Sequence, residues 1–170
     1  VFYYVTLMNE NYAQPDLPSE VHANVLRGCY RFGTYGSDAA GKKVTLLGSG
    51  AILTEVIKAA QALAEEGIAS DVFSVTSWSE LARDGQACEA RDETPFVAQQ
   101  LAAAQGPVIA ATDYVRAVPE SIRAYLPEGR RYVSLGPDGF GRSDTRAALR
   151  RFFGVDASSI AQAARRELVR

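Results

Sequence analysis

Histidine is nearly missing from this chain: His22 stands alone among 170 residues. A multi-histidine metal site is therefore excluded. Cysteine is almost as scarce. Cys29 and Cys88 cannot make a disulfide framework, and no ligand spacing joins them to His22. They read as ordinary thiols of an intracellular protein, so a cytoplasmic location is expected. His22 reads as a surface or interface residue. An excess of charge of one sign is lacking too: 18 Lys and Arg stand against 20 Asp and Glu, a net charge of −2. That excludes a general nucleic-acid footprint. The densest basic segment, RRELVR, is short and without aromatics, and reads as the solvent face of a last helix. No apolar run approaches the roughly 20 residues of a membrane span. The opening VFYYVTLMNENY has no basic leader, no small-residue cleavage site and no initiator methionine. It is expected to be processed or cut from something larger.

Catalytic signatures are also missing. There is no G-x-S-x-G elbow, no zincin motif and no short-range Cys–His pair. GSGAIL (48–53) stands where a dinucleotide loop would, between a strand and a helix. Leu53, however, occupies the third glycine position of GxGxxG, and no lysine with Ser or Thr completes a P-loop. A tight turn with Ser49 capping the next helix is the expectation.

What is present is regular alternation. VFYYVTL (1–7) reads as a strand, and residues 9–20, with Pro15 and Pro18, as a linker. A short helix near 21–27 leads to CYRFGTY, an antiparallel edge strand. KVTLLGSG (43–50), SDVFSVTS (70–77), GPVIAATD (106–113) and RYVSL (131–135) read as buried parallel strands. Between them, 51–65 carries Ile52, Leu53, Val56, Ala59, Ala60 and Leu63 at helical spacing. Helices are also expected over 78–90, 95–104 and 115–126, then in TRAALRRFF and SSIAQAARREL. The fold class is α/β: a three-layer α/β/α domain with about five strands, mostly parallel with one antiparallel edge.

Two polar segments stand at strand ends. In 76–93, Glu80, Arg83, Asp84 and Glu89 are site candidates. The competing reading has Ser77 or Ser79 capping a helix, Trp78 and Leu81 pointing inward, and the charges pairing along the surface. In 136–156, Gly139 and Gly141 frame Phe140, read as an inward anchor. Ser143 or Asp144 is expected to cap the next helix. Asp138, Arg142, Ser143 and Asp144 make either an anion site or a structural corner or subunit contact, the latter preferred. No catalytic, cofactor-binding or metal residue is assigned from these patterns.

LMNENYAQPDLP (7–18), LLGSGAIL (46–53), DVFSVTSWSELARDGQACE (71–89), SLGPDGFGRSDTR (134–146) and FFGVDASSI (152–160) together resemble the carboxy-terminal part of the homodimeric bacterial pyruvate dehydrogenase E1 component. That family lies in the transketolase-like superfamily. The resemblance covers nearly the whole chain. It implies that residues 1–8 are the last strand of a preceding pyrimidine-binding domain, 9–20 a linker and 21–170 the carboxy-terminal domain. It further implies pyruvate decarboxylation and acyl transfer to lipoyl in the complete enzyme, with thiamine diphosphate and magnesium held by earlier domains. None of that cofactor is expected in this chain alone. The implied partners are the remaining E1 domains or a separate amino-terminal subunit, in a homodimer or heteromeric assembly, and a lipoyl acyltransferase. Two other readings stay open: a split subunit of a related thiamine-dependent two-carbon transferase, and a partner-docking module. The connection from CEARDE to TPFVAQQL is shorter than the family's.

Overall fold

The computed structural model describes residues 2, 4, 5, 8, 10–37 and 41–170. The strand read over 1–7 rests largely on Val1, Tyr3, Thr6 and Leu7, which lie outside the described residues. A short 3-10 turn, Ser19–Val21, leads into helix α1, His22–Leu26. The strands are β1 (Cys29–Tyr35), β2 (Lys43–Ser49), β3 (Ala69–Val75), β4 (Val108–Ala111) and β5 (Tyr132–Leu135). Helices α2 (Ile52–Glu65), α3 (Trp78–Glu89) and α4 (Phe96–Leu101) follow α1. A single turn α5 (Ala117–Glu120), α6 (Arg146–Phe152) and α7 (Ala157–Leu168) complete the chain.

Strand order is β1-β3-β2-β4-β5. Among the described residues only the β1–β3 pair is antiparallel; β2 pairs in parallel with β3 and β4, and β4 with β5. The short apolar runs become central strands because both faces of a parallel sheet are covered. Every residue of β3 and β4 is buried. Successive side chains point to opposite faces and feed two cores. Val44, Leu46, Val72 and Ile109 pack with Val56, Ala60 and Leu63 of α2 and with Ile160 and Ala164 of α7. Leu47, Phe73, Val108 and Ala110 pack with Leu81 of α3 and Val97 and Leu101 of α4 on the other side. The three layers and the antiparallel edge are as the sequence indicates.

The expected helix over 115–126 is instead two short pieces, α5 and a 3-10 turn at Arg123–Tyr125. Pro119 sits in the first turn of α5, where proline is tolerated; beyond it the N–H groups of Ser121 and Ile122 bond three residues back rather than four, and Ser121 Oγ also donates to the Val118 carbonyl, so the α-helix does not continue. The linker region 10–18 has no regular secondary structure.

Candidate functional site

The chain reverses its direction across the sheet between β2 and β4. Open α/β sheets bind ligands at the strand carboxyl ends beside such a reversal. Here Ser49 ends β2 and Thr112 follows β4. Their hydroxyls lie 2.8 Å apart and buried. Thr112 Oγ1 also accepts from Tyr114 N at 3.2 Å. Ser49 thus ties two strands together rather than capping α2 as expected. Ala51 occupies the cap position without a side-chain bond. Gly50 takes φ +53°, and Leu53 N donates to its carbonyl at 3.2 Å. The tight turn itself is as expected.

At the end of β3, Ser77 caps α3, accepting from Glu80 N at 3.2 Å. Trp78 and Leu81 are buried. The four candidates of this segment do not converge. Glu80 pairs with Arg83 at the surface. Asp84 instead accepts from Phe96 N at 2.6 Å and meets Arg27 at 3.5 Å, joining α3 to the start of α4. Arg27 in turn lies 3.8 Å above the Phe96 ring. Asp84 is structural by these contacts, and Glu89 is an exposed helix-end residue.

At the end of β5, Arg116 Nη2 donates to Asp138 at 2.6 Å, and Arg116 N to Pro137 O at 3.0 Å. These bonds bring the loops after β4 and β5 together. Gly139 uses a positive φ of 80°, and Gly141 does not. Phe140 is not the inward anchor expected: it is 97% exposed. Residues 138–145 are all exposed, so the loop runs over the surface with no core beside the ring. Arg142 is laid over the Phe152 ring at 4.0 Å. The cap of α6 is Thr145, accepting from Ala148 N at 3.3 Å, rather than Ser143 or Asp144. Asp144 accepts from Thr145 N at 2.7 Å and so orients the residue that does cap.

The most buried ionic group escaped the sequence reading. Asp71, in the middle of β3, is fully buried. Arg31 and Thr34 of β1 donate to Oδ1, Thr34 at 3.0 Å. Lys43 Nζ stands 3.2 Å from Oδ2 as an ion pair. Burial alone would raise this carboxyl, but the Arg31, Lys43 and Thr34 contacts and the Arg31 charge together hold it below the usual range. Arg130 closes the neighbouring space, donating to Thr45 Oγ1, Gly106 O and Ala104 O, each at 2.7 Å. The cluster is a lock between β1, β2 and β3.

A diphosphate with a divalent cation needs carboxylate or carbonyl ligands and converging free amides. The described residues do not fit that demand. Among the described residues no group of three or more His, Cys, Asp or Glu is placed to hold a metal. The hydroxyls at the sheet reversal bond each other, and Asp71 already faces its own cations. His22 is exposed while both cysteines are buried, and burial pushes the Cys29 thiol up to about 12. Among the described residues no helix is long and apolar enough to cross a membrane.

The sequence is similar to the pyruvate dehydrogenase E1 component of Cupriavidus necator, with 48% identity over 177 positions, 99% of this chain and 20% of that protein. The Escherichia coli K12 E1 component is 44% identical over 179 positions, covering 100% of this chain and 20% of the relative. These alignments exceed the 170 residues of the chain, so the relatives carry residues that it lacks. The chain spans about a fifth of the length of the curated relatives it matches. Its fold resembles transketolase from Leishmania mexicana, with a TM-score of 0.56 at 18% identity over 86% of this chain and 19% of the other. A split gene transketolase, solved as an inactive beta4 tetramer, gives 0.56 at 22% identity over 75% of this chain and 40% of the other. With residues 28–156 matching it, the chain belongs to the transketolase-like TK C-terminal domain family, as a carboxy-terminal domain homologous to bacterial pyruvate dehydrogenase E1 components.

Proposed function

We propose that this chain is the carboxy-terminal domain of a thiamine-diphosphate-dependent, E1-like enzyme. It supports assembly for 2-oxo acid decarboxylation and acyl transfer to a lipoyl group. The observation that carries this reading is the near end-to-end similarity to a pyruvate dehydrogenase E1 component, 48% identical over 99% of the chain. Thiamine diphosphate supplies the electron sink in the complete enzyme, with magnesium holding its diphosphate. The donor set of the described residues does not favour that group, which supports placing the cofactor in other E1 domains or in a separate amino-terminal subunit. The lipoyl acyltransferase is the acyl acceptor's carrier.

Removal of this domain from the complete enzyme tests the proposal. Two readouts are needed: subunit mass by sedimentation and pyruvate-dependent reductive acetylation of a lipoyl domain. Loss of both is expected. An enzyme that assembles and turns over normally without the domain contradicts the reading.

A further inference from the structure

The sequence marks 9–20 as a linker, yet Glu10 and Tyr12 are tied down. Arg146 Nη1 lies 2.8 Å from Glu10 Oε2. Tyr12 Oη donates to the same carboxylate at 2.9 Å and accepts from Arg150 Nη2 at 3.0 Å. The Arg150 guanidinium also faces the Tyr12 ring, 5.9 Å from its centroid.

What Tyr12 grips is itself fixed. The Arg150 side chain is only 17% exposed, and its Nη1 donates to Glu55 Oε1 at 3.3 Å. Glu55 is buried on α2, accepts from Lys58 at 3.0 Å, and takes Ala157 N at 3.1 Å on its other oxygen. A nearly desolvated guanidinium held by a buried carboxylate presents its remaining N–H groups in one direction. The chain of contacts runs from Glu10 through Tyr12 and Arg150 to Glu55 and the start of α7. It joins four parts of the sequence. A freely moving linker makes no such connection, and Pro15 and Pro18 stiffen the stretch that follows.

We infer that Tyr12 is a latch that pins the strap 10–18 to α6, so that the direction from which a preceding domain meets this one is fixed. The latch rests on these contacts; its use toward a preceding domain rests on the function proposed above. Tyr12 is a positioning residue.

Limited proteolysis of the complete protein with a glutamate-specific protease, with hydrogen exchange read in the helices, tests it on Tyr12→Ala, Tyr12→Phe and Arg150→Ala beside wild type. Tyr12→Ala should raise the rate of cleavage after Glu10 about fivefold, the population change that one hydrogen bond of ordinary net strength controls. Exchange in α2 and α7 should stay as in wild type. Tyr12→Phe, which keeps the ring but loses the hydroxyl, should fall between the two. Arg150→Ala should release the strap and also loosen α2 against α7, because Glu55 keeps only Lys58 and Ala157 N. Unchanged cleavage after Glu10 in Tyr12→Ala overturns the latch. A rise in exchange spread evenly over α2, α6 and α7 overturns it equally, since Tyr12 would then be part of the packed core. The readout needs neither cofactor nor turnover. A released strap in a protein with no E1-like activity would sink the function and leave the latch standing.

Discussion

Asp71 carries the largest electrostatic consequence of a single side chain. Its carboxylate is buried between Arg31 and Lys43, whose side chains are 48% and 18% exposed. Breaking a buried pair by removing one partner costs roughly 3–5 kcal/mol when the other charge stays dry. Arg31 and Lys43 can turn toward water, so Asp71→Asn should cost about 2 kcal/mol, measured by denaturant unfolding at neutral pH. The carboxyl is held below its ordinary value in the folded state. Its stabilisation is therefore present above the unfolded pKa of about 4 and is lost as pH falls through that value toward the lower folded pKa. Asp71→Asn should accordingly flatten the acid limb of the stability profile; a limb as steep as wild type would show that Asp71 does not drive it. The pattern SDVFSV identifies a strand but gives no sign of this role. The partners stand 28 to 40 positions away, on strands whose register no local signal reveals.

Helix and strand ends show where sequence signals compete. Of the two serines read as caps of α3, Ser77 serves: Glu80 N, three residues on, donates to it, and the apolar helix face begins at once. Ser49 carries the same side chain before a helix but ends a central strand, facing Thr112. The glycine between it and α2 makes the turn, leaving the serine inside the sheet. Thr145 caps α6 although Ser143 and Asp144 precede it, because three cap-forming residues in a row leave the start undetermined to within a turn. The Ser49–Thr112 pair predicts a measurable coupling between β2 and β4. Ser49→Ala and Thr112→Val should each destabilise by about 1–2 kcal/mol, since each removes the bond between two buried hydroxyls, and Thr112→Val also takes the acceptor from Tyr114 N. The double variant should cost less than their sum by about 1 kcal/mol. Strict additivity in urea unfolding would mean that the hydroxyls do not support each other.

At the scale of the molecule, the layers were legible because period-two and helical patterns alternate cleanly from Cys29 onward. The family was legible from five separated motifs, of which GPDGFGRSDTR is the most distinctive. The surface position of Phe140 was not. Composition places a phenylalanine inside by default, and only the fold shows that the loop holds it outward. The strap's attachment was equally hidden, since Tyr12 and Arg150 are 138 positions apart. The candidate site follows the same division. Its polar residues could be named in sequence, but their pairing into structural contacts, with Asp84 on Phe96 N and Asp138 on Arg116, depends on elements meeting in space. The proposed function gives the chain a supporting role beside chemistry carried out elsewhere. Calorimetric titration with thiamine diphosphate and magnesium tests that division most directly, on this chain alone and after addition of the remaining E1 portion. No binding by the chain alone and stoichiometric binding after the addition are expected; stoichiometric micromolar binding by the chain alone would contradict it.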